Sequence, residues 1–462
     1  MQAFLDSLLD LVVKVNGFLT DYILIVLLVG VGLFYTIKTR FVQVRCFGEG
    51  MKKVFGNIKL RGGKQEGGIS SFQALATAIA AQVGTGNIVG ASGAILVGGP
   101  GAIFWMWIIA FFGMATIYAE ATLAQETRCV DENGEVHGGP VYYIKTAFKG
   151  GFGKFLAVFF SIAAILALGF MGSMVQSNSI AESVCNAIGT DYTVYGWIVG
   201  LVVAAIAAFI FIGGIQRIAS VTEKMVPIMA CLFLLGGLVI LAVNFKSIPE
   251  TFGMIFKYAF TPQAIIGGTF GAAIKTAISQ GAKRGLFSNE AGMGSTPHAH
   301  AMAKVEKPHD QGVVAMIGVF IDTFVVLTMT ALVIISTLYA NGSTAWTEVS
   351  KTNAMQTAAG TVFGTDIGSI FIAVCLFFFA FSTILSWNFF GKLNVQSLFN
   401  NKKWATVTYS VIAIVFIFLG SCLKNDLVWE LTDFFNYLMV LPNVIALFAL
   451  SKLVTKNSNN KK

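Results

Sequence analysis

The sequence predicts an all-α polytopic membrane protein with eleven transmembrane helices. Three observations predict it. Apolar stretches of about 20 residues recur from end to end, the length that crosses about 30 Å of hydrocarbon as a helix. The chain is 56% hydrophobic and only 12% charged over 462 residues, too little charge to cover a soluble protein of that size. Its basic residues concentrate in alternate connections, as orientation in a bilayer requires. A β-barrel would show short alternating strands instead.

The spans fall at about 21–37, 71–97, 100–125, 153–187, 194–214, 222–244, 264–292, 311–340, 364–398, 404–423 and 427–451. Before them, "MQAFLDSLLDLVVKV" carries Asp6 and Asp10 where a signal peptide would carry Lys or Arg. It reads as a short amphipathic helix at the interface. The first connection holds Lys38, Arg40, Arg45, Lys52, Lys53, Lys59, Arg61 and Lys64, which assigns it to the cytoplasm. An odd number of spans then places the N-terminus outside and the C-terminus, with Lys452, Lys456, Lys461 and Lys462, inside. Later inside connections carry Arg128, Lys145, Lys149 and Lys154, then Arg217 and Lys224, Lys304 and Lys307, and Lys402 and Lys403. Outside segments hold only Lys14, Lys246, Lys257, Lys351 and Lys424. The net charge of +8 is therefore a topology signal and not a nucleic-acid surface. Cys46, Cys129, Cys185, Cys231, Cys375 and Cys422 lie far apart with no CxxC pair, so they read as buried small apolar groups. No GxxxxGK[ST], HExxH or GxSxG is present, which argues against an ATP-driven pump or a hydrolase.

Two spans contradict their own length. "AAQVGTGNIVGA" (80–91) and "AISQGAKRGLFSNEAGMGST" (277–296) interrupt spans 2 and 7 with glycines and polar residues. Five spans separate them, and five is odd, so a repeated unit would lie upside down. The chain then divides into residues 1–70 (interfacial helix, extra span, basic linker), 71–244 (first inverted repeat), 245–263 (outside connection), 264–452 (second repeat) and 453–462 (inside tail). Paired broken helices of this kind point to a transporter's central site. The third helix of each half is also polar in its middle: "GFMGSMVQSNSIAES" (169–183) and "FAFSTILSWNFFG" (379–391).

A helix interrupted at Gly84–Thr85–Gly86 exposes carbonyls at the end of one half and N–H groups at the start of the next. Carbonyls suit a hard cation such as Na⁺; N–H groups at a positive dipole end suit a carboxylate. A zwitterionic amino acid with Na⁺ matches that pair. Gly86-x-x-x-Gly90 also fits close helix packing, and both uses can coexist. Ser382 and Thr383 are adjacent mid-helix hydroxyls that either back-bond to their own helix or serve as ligands. Trp387, one turn on, reads as a pocket wall. Gln176 needs several partners. Lys283, Arg284 and Glu290 read as a cytoplasmic-side gate or structural pair, and Asp322 is a charge inside span 8. Gln82 either supports a second cation or pins the two broken helices together. His298, His300 and His309 fall in an inside connection beside Pro297 and Pro308, and a metal site among them is the lesser reading.

Six motifs, "VGTGNIVG" (83–90), "GGPGAIFWMW" (98–107), "HGGPVYYI" (137–144), "MVQSNS" (174–179), "RGLFSNEAGMGS" (284–295) and "FAFSTILSWNFFG" (379–391), together make the chain resemble the alanine or glycine:cation symporter family. The resemblance spans about residues 20–450. It implies a LeuT-type core of five plus five inverted helices behind one extra N-terminal helix, Na⁺ coupling (H⁺ in some members), no organic cofactor and no obligatory protein partner. It implies a multi-pass protein of the cell inner or plasma membrane that carries a small neutral amino acid. Thr85, Gly86 and Asn87 would face the substrate carboxylate. Carbonyls near Gly281 and Gly285, with Thr383, would take the ammonium, and Gln176, Phe170 and Trp387 would bound the side chain. Backbone oxygens of Ala80, Val83 and Phe379 with the hydroxyls of Ser382 and Thr383 would hold Na⁺. Glutamine is the substrate alternative; a channel or a non-transporting receptor is the alternative in kind.

Overall fold

The computed structural model describes residues 2–56, 69–130, 136–261, 270–423 and 425–459. These are almost wholly helical, with one short antiparallel pair, Cys129–Val130 (β1) against Val136–His137 (β2). In chain order the helices that position the site are α1 (Asp6–Lys38), the short amphipathic α2 (Phe47–Phe55), α3 (Ser71–Gln82), α4 (Gly86–Gly98), α5 (Gly101–Glu126), α6 (Gly150–Ala187), α7 (Tyr192–Ile212) and α8 (Gly214–Val243). They continue with α9 (Phe270–Asn289), the short α10 (Pro297–Ala301), α11 (Pro308–Gly342), α12 (Thr365–Leu398), α13 (Lys403–Gly420) and α14 (Asp426–Ala449).

Among the described residues nine helices are each long and apolar enough to cross a membrane, or ten if α3 with α4, bent by 45°, is counted as one span. The remaining expected span, 264–292, begins outside the described residues, as does the boundary at 263/264. Its described part is α9, made less apolar by Lys275, Lys283 and Arg284. Lys59, Arg61, Lys64, Lys424, Lys461 and Lys462 also lie outside the described residues. The expected interfacial helix is not set apart: helix runs without interruption from Gln2 to Lys38. Nor are all cysteines buried, since Cys129, Cys231 and Cys422 are exposed.

The first break has a local cause at each end. A capping box opens α3, with Ser70 Oγ accepting from Gln73 N–H and Gln73 Oε1 accepting from Ser70 N–H, both at 3.1 Å. Val83, at φ −80° and ψ 85°, takes the chain out of the helix, and α4 restarts at Gly86. The second break lies in the later part of the stretch the sequence marked, at Gly292 and Gly294 and not at Gly281 or Gly285. Helix α9 runs unbroken through Gly281 and Gly285 to Asn289. Glu290, Gly292 and Gly294 then adopt φ of 58°, 89° and 80°, and Pro297 opens α10. Glycine takes such angles freely, whereas Glu290 must be held in them by its surroundings.

The first half of each broken helix lies beside the second half of the other: α3 packs on α10 and α4 on α9. A parallel bridge between Ile69 and Ala303 ties the entry of one to the exit of the other. Helices α6 and α12 cross next to both breaks. A Cβ on Gly172 would lie 2.2 Å from the Trp387 ring, and one on Gly391 would lie 3.2 Å from Gly169 Cα, so small residues set the depth of the crossing. Tyr409 of α13 wedges beside it and donates to Asn388 O at 3.0 Å.

Candidate functional site

At the first break the amides turn away from the helix axis. Gly84 N–H donates to Gln82 O and to Asn87 Oδ1, each at 3.0 Å, and Thr85 N–H donates to Gln176 Oε1 at 3.0 Å. The carbonyls of Ala80 and Ala81 thereby lose the donors an intact helix would give them. They accept instead from Thr383 Oγ1, at 2.8 and 3.4 Å. Ser382 Oγ reaches Ala80 O at 3.4 Å and Phe379 O at 2.9 Å, and Thr383 Oγ1 reaches Phe379 O at 3.1 Å. Three carbonyls, two from α3 and one from α12, thus meet two hydroxyls of α12 in a fully buried cluster. Such an all-oxygen donor set fits a hard cation. Val83 shares the turn by position, with its N–H returned to Ile79 O at 2.7 Å.

On the other side of the break, Thr85 Oγ1 donates to Gln176 Oε1 at 2.6 Å. Gln176 Nε2 is buried with no protein acceptor among the described residues. Gly86 opens α4, so its amide has no intrahelical carbonyl to take. A Cβ there would lie 2.9 Å from Phe287 Cδ1 and 3.2 Å from Ser288 Cα, so glycine lets the two broken helices touch. Trp387 meets Phe287 edge to face at 5.7 Å.

Four expected placements change. Gly281 and Gly285 sit inside α9, where their carbonyls serve the helix ladder; they face Trp105 and Ile109 of α5 and do not offer oxygens to an ammonium. Phe170 stacks on Phe416 of α13 at 4.8 Å and lies tilted against Tyr409 at 5.5 Å, away from the break. Asn87 has both ends of its amide engaged: Oδ1 takes Gly84 N–H, and Nδ2 donates to Asp322 Oδ1 at 2.6 Å. It braces the break from behind, and with Nδ2 also donating to Asp322 O at 3.2 Å it has no amide proton left for a substrate carboxylate. Lys283 and Arg284 do not pair with Glu290. Lys283 binds Glu430 at 2.8 Å and Asp433 at 3.0 Å, and Arg284 binds Asp433 at 3.2 Å while lying 4.6 Å over the Trp429 ring. They precede the break on α9, and with Phe287 against Trp429 at 4.7 Å they form one cluster. Lys351 joins it through Asp426 at 2.8 Å; burial lowers its pKa, and Asp426 opposes that.

The most connected residues of the second break were not assigned to the site from sequence. Asp322 of α11 accepts from Ser288 Oγ at 3.1 and 2.9 Å and from Thr323 Oγ1 at 2.8 Å, besides Asn87. Glu290 accepts from Ser295 Oγ and from Trp387 Nε1. Glu120 of α5 accepts from Gly292 N–H at 3.1 Å and from Asn443 Nδ2 at 2.6 Å. The available signal was a carboxylate inside a span; its partners come from other helices. Gln82 joins the two broken helices: its Nε2 donates to Asn289 O at 2.8 Å, which caps α9 with a residue of the first break. His298 and His300 are not in a loop. They lie in buried α10, where His298 stacks between Phe160 and Phe390 and meets Asn394 at 2.9 Å.

Paired broken helices around an oxygen cluster define a transporter architecture, and residues 5–461 match the model of the sodium:alanine symporter family. The chain belongs to that family. It is 42% identical over 451 residues to the sodium/alanine symporter AgcS of Methanococcus maripaludis, across 97% of this chain and 96% of that protein. It is 36% identical over 455 residues to the probable sodium/glutamine symporter GlnT of Bacillus subtilis, across 98% and 90%. The crystal structure of MhsT in complex with L-phenylalanine superposes with a TM-score of 0.61 over 86% of this chain and all of that one, at 15% identity; that likeness shows a shared fold. This family member is a multi-pass transporter of the cell membrane, not an enzyme, and its family couples to sodium.

Proposed function

We propose that the chain imports a small neutral amino acid, alanine or glycine, together with Na⁺ by alternating access. One observation carries this reading: the freed carbonyl of Ala80 meets Phe379 O and the Ser382 and Thr383 hydroxyls, one turn before the open amide of Gly86 and the spare amide of Gln176. Na⁺ sits among the oxygens, and the substrate lies beside Gly86, Gln176 and Trp387. Its carboxylate faces the start of α4. Trp387 and Phe287, edge to face at 5.7 Å, bound the side-chain space, and the choice of alanine or glycine over glutamine follows the 42% identical sodium/alanine symporter rather than the 36% identical probable glutamine one. Binding of Na⁺ replaces the Thr383 hydrogen bonds, orders the break and raises substrate affinity. One Na⁺ crossing 100 mV contributes about 2.3 kcal/mol, roughly 50-fold accumulation. Eleven spans belong to this reading, with α9 as the eleventh. So do the outside N-terminus and the inverted halves, which the crosswise packing of the broken helices supports.

Purified protein in liposomes tests it. Labelled alanine or glycine accumulates under an inward Na⁺ gradient and not when choline replaces Na⁺; tenfold excess glutamine competes weakly. Equal uptake in the two salts excludes sodium coupling. Glutamine accumulating in preference to alanine reassigns the substrate, and non-saturable flux points to a channel.

A further inference from the structure

We infer that Cys46, Glu49 and His309 bind a thiophilic divalent cation, of which zinc is the natural probe, and that this ion clips the linker helix α2 to the start of α11. Cys46 is the residue before α2, Glu49 lies in its first turn, and His309 lies in the first turn of α11. One ligand atom from each lies within 4.8 Å of the others, and His309 Nε2 stands 3.3 Å from Glu49 Oε1. Ligands about 2.0–2.3 Å from a tetrahedral zinc are roughly 3.3–3.8 Å apart. The histidine–carboxylate edge already has that span, and the thiol closes on it by about 1 Å.

The surroundings are arranged as a metal site requires. Tyr118 of α5 hydrogen-bonds His309 Nδ1 at 2.7 Å, which aims the other nitrogen at Glu49. Metal-bound histidines are held in this way through the nitrogen that does not ligate. Gly50 brings the helices into backbone contact, since a Cβ there would lie 2.8 Å from Val313 O. Lys53 to Asp310, at 3.1 Å, makes a second tie between the same two segments. Cys46 and His309 are buried while the Glu49 side chain is 34% exposed, leaving a wet side for entry and for water as fourth ligand. Binding releases the thiol proton of Cys46 and uses His309 in its neutral form. Thiolate and carboxylate then balance the two charges of the ion.

Full-length protein in detergent, stripped by chelator, is titrated with Co²⁺ and then Zn²⁺. The expected result is one thiolate-to-cobalt charge-transfer band per chain, displaced by Zn²⁺. The band is lost in Cys46→Ser and in His309→Gln, and is kept in Cys129→Ser and Cys422→Ser. Tyr118→Phe retains the ligands and weakens Zn²⁺ binding about 10-fold. Zn²⁺ also slows amide hydrogen exchange over residues 47–55 in the wild type and not in Glu49→Gln. A wild type without the band overturns the site, and needs no variant to fold. A band unchanged by Cys46→Ser overturns the ligand assignment, and exchange unaffected by Zn²⁺ overturns the clip.

Discussion

The two broken helices solve one problem in opposite ways. Three residues separate α3 from α4, with no positive φ among them, and neutral side chains surround them: Gln176, Thr383 and Asn87. Seven residues separate α9 from α10, three of them at positive φ, and the carboxylates Glu290, Glu120 and Asp322 tie that region together. The first break leaves backbone oxygens for a cation and an amide for an anion. The second has its nearby polar groups largely bonded to one another. On the function proposed above, ligand chemistry belongs to the first break, and the second is the frame it closes against. Gln82, reaching from the first to Asn289 O, couples them.

The largest effect expected is from Gly84→Ala. The added Cβ would fall 2.4 Å from Thr383 Oγ1 and 3.2 Å from Gln176 Oε1. Overpacking of about 3 kcal/mol should cut Na⁺-dependent uptake about 100-fold, with the detergent-solubilised protein still monodisperse. Near-normal uptake would mean the first break is no more specialised than the second. Thr383→Val comes next. It keeps the shape and strips the hydroxyl from Ala80 O and Phe379 O, at about 1–3 kcal/mol. Half-saturation by Na⁺ should rise about 10-fold or more in transport assays, with Thr383→Ser restoring most of it.

Asp322→Asn tests the frame. Donors from Asn87, Ser288 and Thr323 already fill the carboxylate, so a carboxamide NH₂ must face another donor. The melting temperature should fall by several degrees, for about 1–3 kcal/mol, with a smaller change in Na⁺ half-saturation than Thr383→Val gives. The reverse ranking would make Asp322 a ligand and move cation chemistry to the second break. The smallest effects belong to Gly285→Ala and Phe170→Leu. The nearest atom to the new Cβ at 285 is 3.6 Å away, and Phe170 packs on α13. Uptake by each should stay within about twofold of wild type, as for surface or well-tolerated changes; loss in Gly285→Ala alone would restore its carbonyl to the site.

The spans, the polar interruptions and the pairing of two breaks were legible in the sequence, because each is a local property. Hydrocarbon sets the length of an apolar run, and glycine with polar residues marks where a helix cannot continue unaided. The family was legible too, in six motifs of which two lie at those interruptions. The oxygens of Ala80, Phe379, Ser382 and Thr383 could be named from the resemblance alone, and the contacts now described come from helices some 300 positions apart.

What only the tertiary structure decided is which way each side chain turns and which backbone groups are left over. Phe170 and Gln176 share one helix, yet a wider turn over Ile165–Gly172 shifts the register between them, so one faces α13 and the other the break. Gly281 and Gly285 could equally have opened α9; packing against α5 kept it helical and moved the break to Glu290. Asn87 and Asp322 lie 235 positions apart, and no periodicity links them. A buried polar group must find a partner, but the sequence states only the need, and the crossing of helices chooses who meets it.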